Sequence, residues 1–483
     1  MRALAVGLAG AAALAASFVV IPEAAACGGC FVPAQVGAPT VVSGHRMVMS
    51  ISKQQTVLWD QIQYQGDPEE FAWVLPVKAG ARVEESTDAF FEALEATTRV
   101  TVRSREISCA SPDSGCGFGC GDDAEAGSDG GYAGSEGGVD VVHQGSVGPY
   151  ETVTLSTSTP GALNAWLQDH GYNVDAASQP VIDQYVAEGF DFIALRLQPG
   201  QGVAQMTPVR VVMPGGGLTL PLRMVAIGTG AVTPLVLYFI GEGRHRVENF
   251  PEVSFPTSDL IWDFKTQSSN YQQLRNNLMK QDGGGAFLVS FASSGMISSP
   301  TTNPSTGALS LLTVYQNQAK ANGEAAPGCS IGGSSGMDPV VDTCPAGESF
   351  DSAMCAAPAA GEIDARKFGC AGAWDFSTAL VGMRPSTVWV TRVEAELPRS
   401  SLASDLVVGA APQNNVSNQL VADRSINVES VCPNGTVVMP AWDRPSPPRT
   451  LRIAPYLIGG AALLLMLRRR ARAGERRAPS FQS

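Results

Sequence analysis

Four stretches of this chain carry residue types at spacings that perform chemistry elsewhere. Gly332-Gly333-Ser334-Ser335-Gly336 matches G-x-S-x-G, in which a serine nucleophile is held on a strained turn between a buried strand and a helix. Its flanks are Cys329-Ser330-Ile331 and Met337-Asp338-Pro339, inside a Gly/Ser-rich stretch, so a chance match is the stronger reading. Cys27-Gly28-Gly29-Cys30 has the C-x-x-C spacing of thiol oxidoreductases. Those motifs open a helix whose N-terminus lowers the thiol pKa. Two glycines start a helix badly, and a structural disulfide is favoured. Cys109, Cys116 and Cys120 with His143 offer zinc ligands, but zinc requires thiolates, and an exported chain oxidises them. Asp122, Asp123 and Asp129, with Glu125, are candidate calcium ligands. They lack the alternating D-x-D-x-D-G loop, so a solvated acidic loop competes with that reading.

No catalytic set and no cofactor follow from these residues. The four histidines are His45, His143, His170 and His245, and sequence alone joins none of them to a serine and a carboxylate. His170 falls at a predicted helix C-terminus, where positive charge suits the macrodipole.

Composition bounds the partners. Hydrophobic residues make up 44% of the 483 and charged residues 16%, enough for a sizeable core. The net charge is −13, and between the two ends 25 basic residues face 43 acidic ones. Such a surface repels phosphate backbones and anionic lipid, so nucleic acid is not an expected partner.

The ends speak to compartment. Met1–Ala26 joins Arg2, an apolar run from Ala3 to Ile21, and Ala24-Ala25-Ala26 before Cys27, the pattern of a signal peptide. An uncleaved anchor and an acylated Cys27 are the competing readings. Arg444-Pro445-Ser446-Pro447-Pro448 is a stiff linker to the apolar run Ile453–Leu467 and the cluster Arg468-Arg469-Arg470-Ala471-Arg472. Fifteen helical residues span about 22 Å against about 30 Å of hydrocarbon, and flanking arginines snorkel to close the gap. The arginines are expected on the cytoplasmic side. The segment also resembles the C-terminal sorting tags of some bacterial surface proteins. All ten cysteines (Cys27, Cys30, Cys109, Cys116, Cys120, Cys329, Cys344, Cys355, Cys370 and Cys432) lie between these ends, an even set that reads as structural disulfides. Their connectivity stays open.

The elements that must position these residues follow from periodicity. Val57–Tyr64 and Phe71–Val77 flank Gln65-Gly66-Asp67-Pro68 and read as a β-hairpin. Its aromatics Trp59, Phe71 and Trp73 read as core. Further strands are predicted at His45–Ile51, Arg99–Ile107, Tyr150–Ser156, Phe190–Leu197, Val209–Met213, Leu218–Ala226, Pro234–Ile240, Ala286–Ala292 and Thr387–Leu397. Helices are predicted at Thr87–Ala96 behind a Ser86 cap, Pro160–His170, Ser178–Glu188 and Ser269–Lys280. The fold class is α+β: a strand-dominated core with paired helices, two disulfide-clipped Gly/Cys-rich insertions, and a C-terminal single transmembrane helix or sorting tag.

Several of these residues carry a resemblance. Ala26-Cys27-Gly28-Gly29, Gln61-Ile62-Gln63-Tyr64-Gln65-Gly66-Asp67 and Phe71-Ala72-Trp73-Val74-Leu75-Pro76-Val77 are similar to the bacterial domain-of-unknown-function 2330 family. So are Gly148-Pro149-Tyr150-Glu151, Tyr185-Val186-Ala187-Glu188-Gly189-Phe190, Pro221-Leu222-Arg223 and Ile227-Gly228-Thr229-Gly230. The resemblance covers roughly Cys27–Gly243. It implies an exported, envelope-associated protein and no reaction.

The expected organisation is a signal peptide over 1–26 and a family-like ectodomain over 27–300 with an acidic Cys-rich loop at 108–140. An insertion at 301–373, ectodomain strands over 374–443, a linker at 444–452, a membrane segment at 453–467 and a cytoplasmic tail at 468–483 complete it. The expected function is an exported, membrane-anchored envelope protein with a structural, adhesive or assembly role. Its partners are the membrane, through the C-terminal helix, and other envelope proteins. The alternatives are an exported hydrolase, which needs an open pocket with a histidine near a serine or carboxylate, and a calcium-dependent binding module. The functional surface is expected on the two Cys-rich insertions and the membrane-proximal end rather than on the hairpin.

Overall fold

The computed structural model describes residues 30–31, 41–65, 72–110, 144–155, 162–171, 174, 178–198, 206–227, 229, 231–297, 311–324, 374–383, 387–431 and 436–438. The expected signal peptide, the acidic loop beyond Ala110, the linker, the membrane segment and the arginine tail lie outside the described residues. Among the described residues no helix is long and apolar enough to cross a membrane.

Thirteen strands form the two main sheets. In chain order they are β1 (Cys30–Phe31), β2 (Val41–Ile51), β3 (Gln55–Gln65), β4 (Ala72–Val77), β5 (Arg82–Glu85), β6 (Gln144–Val147), β7 (Tyr150–Leu155), β8 (Asp191–Leu197), β9 (Val209–Pro214), β10 (Val232–Glu242), β11 (Glu252–Ser254), β12 (Phe287–Ser294) and β13 (Val388–Pro398). The larger sheet runs β11-β12-β13-β10-β2-β3-β9-β5, and the smaller runs β1-β4-β8-β7-β6. The β2–β10 and β11–β12 pairs are parallel and the others antiparallel. The fold is a strand-dominated α+β structure with several sheets and few helices.

The two runs expected as a hairpin are both strands, but they are not partners. β3 pairs with β2 and β9 in the larger sheet, whereas β4 pairs with β1 and β8 in the smaller. The chain between them passes from one sheet to the other. The tight reversal lies one strand earlier, at Ser52–Gln54, where the Ser52 hydroxyl accepts the backbone N–H groups of Gln54 (3.2 Å) and Gln55 (3.1 Å). The mixed faces of β3 have a physical reason: it is a central strand covered on both sides, so strict alternation is not required of it.

The layers follow from the side chains. One face of the larger sheet, with Val48, Val57, Trp59 and Tyr238, packs under helices α1 (Asp88–Thr98), α6 (Leu311–Ala321) and α7 (Trp374–Ala379). Phe90 of α1 sits 5.1 Å from the Trp59 ring and 5.1 Å from that of Phe376. On the opposite face Trp73, Leu75 and Val77 of β4 pack against Val209 and Val211 of β9, joining the two sheets. The outer face of the smaller sheet, with Ala72, Val74, Phe192 and Ala194, is covered by α2 (Ala162–Asp169) and α3 (Gln179–Ala187), the expected helix pair. β4 is therefore buried at all six positions.

Three stretches differ from the sequence expectation. Leu218–Ala226 is a two-residue strand, Thr219–Leu220, followed by the helical turn α4 (Leu222–Val225), because Pro221 has no N–H to continue a ladder. Arg99–Ile107 holds only the short strand Thr101–Arg103, and Ser108–Ala110 follows separately. Within 301–373, α6 is a core helix that buries Leu311, Tyr315 and Ala319. The predicted helix at Ser269–Lys280 is α5 (Tyr271–Met279).

Two carboxylates, the buried Asp375 and the part-buried Asp405, tie these layers together. Asp375 of α7 accepts five hydrogen bonds: Trp59 Nε1 (2.9 Å), Ser86 Oγ (2.9 Å) and Arg210 Nη1 (2.8 Å) on Oδ1, and Thr87 N (3.1 Å) and Thr87 Oγ1 (2.7 Å) on Oδ2. Ser86 thus spends its hydroxyl on Asp375 rather than capping α1. Asp405 receives Arg223 Nη2 (2.5 Å), Arg223 N (3.0 Å) and Tyr185 Oη (2.5 Å). Arg223 also grips Glu188 with two bonds, at 2.8 and 2.5 Å, and lies 4.2 Å over the Tyr185 ring. The Tyr185–Phe190 and Pro221–Arg223 motifs therefore meet at one node.

Asp375→Ala should cost about 3–5 kcal/mol, because it removes one of the two carboxylates on the buried Arg210 and leaves the Trp59, Ser86 and Thr87 donors without their acceptor. Asp375→Asn, which keeps the shape, should cost less; urea unfolding of the full chain checks the order. Arg223→Lys should lose the forked contact to Glu188 and cost about 1–3 kcal/mol by the same measurement.

Candidate functional site

The site is built where β9 stops. Its ladder with β3 runs from Pro214 opposite Gln55 to Val209 opposite Asp60. Pro208 precedes it and has no N–H to extend the pairing. Just beyond, β3 residues Gln61 and Ile62 border a cleft of about 210 Å³. Two smaller crevices between the sheets, on either side of Leu75 and Pro76, measure about 60 and 10 Å³.

The apolar wall comes from Trp73 of β4, Tyr150 of β7, and Met206 and Pro208 ahead of β9. Tyr150 is fixed by its Oη, which donates to the Thr207 carbonyl at 2.8 Å. The turn before Tyr150 requires Gly148: its φ is +54°, and a Cβ there would stand 2.7 Å from Glu85 Oε1.

The polar wall comes from four side chains on both faces of the larger sheet. Asp60 faces the space between the sheets and is only 3% exposed. Its Oδ1 lies 3.2 Å from His45 Nδ1, and its Oδ2 has no hydrogen-bond partner among the described residues. Burial pushes the Asp60 carboxyl above its ordinary pKa, with His45 only partly offsetting the shift. An unsatisfied buried acceptor costs about 1–3 kcal/mol. Gln61 points to the other face, toward α1, where its Nε2 donates to Asp88 Oδ1 while its Oε1 has no partner among the described residues. Burial also raises the Asp88 carboxyl, against the Gln61 hydrogen bond. Arg46 stands directly across the strand pair from Gln61. Its guanidinium is 5.9 Å from the Phe91 ring, and its Nε has no partner among the described residues.

This arrangement places one guanidinium and two carboxylates around a cleft with an apolar wall. The histidine–carboxylate pair expected of a hydrolase exists in kind as His45 with Asp60, but His45 is 1% exposed and stands behind Asp60, off the cleft wall. Sequence reasoning missed this pair. Its signal was phase: His45, Met47 and Met49 share one face of β2, Leu58, Asp60 and Ile62 one face of β3, and Met47 pairs with Asp60.

The residues singled out from the sequence fall elsewhere. Asp122, Asp123, Asp129, Gly332–Gly336 and His143 lie outside the described residues, as do Cys27, Cys116, Cys120, Cys329, Cys344, Cys355, Cys370 and Cys432. The backbones of Cys30 and Cys109 lie in strands, opposite Trp73 and Val437. Among the described residues no three His, Cys, Asp or Glu side chains gather as metal ligands. His170 ends α2 with Nδ1 2.8 Å from the Trp166 carbonyl and its ring stacked on that of Trp166.

Comparison with curated proteins finds no match. Among solved structures the chain is similar to the crystal structure of baculovirus P35, at 12% identity and a TM-score of 0.24. That match covers 42% of this chain and 65% of the other, and so slight a likeness carries no argument. The family model described as an uncharacterized protein conserved in bacteria (DUF2330) matches residues 21–307, more than half of the chain, and the chain belongs to that family.

Proposed function

We propose that this protein is an exported, membrane-anchored component of the bacterial envelope whose ectodomain is a non-catalytic binding module, with the cleft beside β3 as its recognition site. One observation carries the binding role: Asp60 lines the cleft and is almost wholly buried, yet one of its carboxylate oxygens lacks a partner among the described residues. A bound donor would satisfy it. The motifs behind the family resemblance support the same place, since Gln61, Ile62, Trp73 and Tyr150 all line the cleft. Export and anchoring rest on Met1–Ala26, the ten cysteines, and the apolar run Ile453–Leu467 with its arginines. The acidic body suits a module that displays a surface to other envelope proteins.

In fractionated cells the full chain should sediment with membranes and be cut by protease added from outside the cytoplasm. Native mass spectrometry of the purified chain should show a bound small molecule that Asp60→Asn removes. A soluble cytoplasmic protein, or a chain without adduct, would refute the respective half.

Burial makes the stability pH-dependent with a definite sign. The folded state binds a proton at Asp60 more tightly than the unfolded chain, so that contribution is complete below about pH 4 and is lost as pH rises through the raised folded value. Asp60→Asn stays neutral throughout. Its melting temperature should gain on that of the wild type as pH rises above about 4 and through the raised folded value.

A further inference from the structure

We infer that the ligand of this cleft is a small zwitterion, a free amino acid, with its ammonium group on Asp60 and its carboxylate on Arg46. The inference rests on the cleft being a binding site and adds the class of ligand.

Size sets the first limit. A volume of about 210 Å³ holds roughly seven waters at ~30 Å³ each. That suits a molecule of amino-acid size and falls below the ~300 Å³ where drug-sized pockets begin.

Charge sets the second limit. Asp60 and Asp88 bring negative charge to one cavity, and Arg46 brings positive charge to the same cavity. Asp60 Oδ2, Gln61 Oε1 and Arg46 Nε are buried atoms without partners among the described residues, on three side chains that line the cleft. The sheet itself keeps the opposite charges apart. Asp60 lies in the β3 phase that faces the smaller sheet, whereas Arg46 pairs across the strands with Gln61 on the α1 side. Both side chains nonetheless line the one cleft at the end of the β9 ladder, so a ligand in it lies beside both charges.

Other ligand classes leave something unsatisfied. A hard divalent cation needs about six to eight oxygens, and the guanidinium repels it. A simple carboxylate meets Arg46 but leaves the Asp60 oxygen unpaired and faces Asp88. A simple amine satisfies Asp60 and leaves Arg46 unused. A zwitterion satisfies both, and Trp73 and Tyr150 supply aromatic faces near its ammonium end.

The test is isothermal titration of the purified full chain with each common amino acid, its decarboxylated amine and its deaminated acid. At least one amino acid should bind, with its amine and its acid each at least tenfold weaker. Arg46→Gln and Asp60→Asn should each weaken binding at least tenfold, while circular dichroism melts show both variants folded. Arg46→Lys should recover part of the affinity that Arg46→Gln loses. An amine or an acid binding as well as its amino acid overturns the inference, as does binding that survives both variants. If no amino acid binds but the chain still carries an adduct in native mass spectrometry, the inference falls and the binding site stands. If neither is seen, both fall.

Discussion

The carboxylate of Asp375 is the contact on which the rest of this structure depends. It collects the indole of Trp59 from β3, the guanidinium of Arg210 from β9, and Ser86 and Thr87 from the approach to α1. Arg210 is 4% exposed, and beyond Asp375 its other carboxylate contact is Glu84, at 2.7 Å. A buried guanidinium with an incomplete set of partners is costly, so the position of α7 decides whether the edge of the larger sheet can stay closed. Asp375 lies outside residues 21–307, as do α6 and β13. The family-matched stretch thus does not complete its own core. β13 fills the gap between β10 and β12, and Phe376 and Tyr315 fill the layer over Phe90.

A second carboxylate makes the same point from the other side. Glu324, just beyond α6, accepts the backbone N–H groups of Asp88 (2.7 Å) and Ala89 (3.0 Å), the exposed donors at the start of α1. Asp375 takes the N–H of Thr87, one residue earlier. Glu324 and Asp375, on either side of residues 325–373, therefore hold consecutive residues of one helix terminus. Whatever residues 325–373 carry, their two ends are fixed to one spot. That spot adjoins the cleft, because Asp88 lines it while its N–H is held by Glu324. Loss of Glu324 would free the first turn of α1 and, with it, one wall of the cleft.

Most of the elements were legible in the sequence, because their apolar residues recur at the periods their neighbours demand. The burial of Phe90, Phe91 and Leu94 in α1, the paired helices α2 and α3, and the strand β13 all follow from local pattern. That β3 and β4 lie in different sheets was not legible, because a change of sheet and a hairpin both need polar turn residues between two apolar runs. Trp59 and Trp73 look alike in sequence, yet one faces α1 and the other the space between the sheets. α6 was hidden for a different reason: its Gly- and Ser-rich surroundings mask three core positions that only Phe90 and Phe376 explain. The cleft itself escaped because it is made by an ending. Nothing in Met206-Thr207-Pro208 marks a binding wall until the β9 ladder is seen to stop at Asp60.

Asp60 and Asp375 let the structure separate support from recognition. Both are aspartates with almost no exposed surface, and both sit against a strand of the same sheet. Asp375 accepts five donors, so its burial is fully compensated and its role ends with the fold. Asp60 has one oxygen near a single imidazole nitrogen and the other without a partner among the described residues, in a side chain that lines the cleft. A fold that needed only packing would be more stable with an apolar side chain there, since the carboxylate brings desolvation without full pairing. The proposed ligand would supply the partner that this carboxylate lacks among the described residues. The open end of β3 is the place where such a partner can reach.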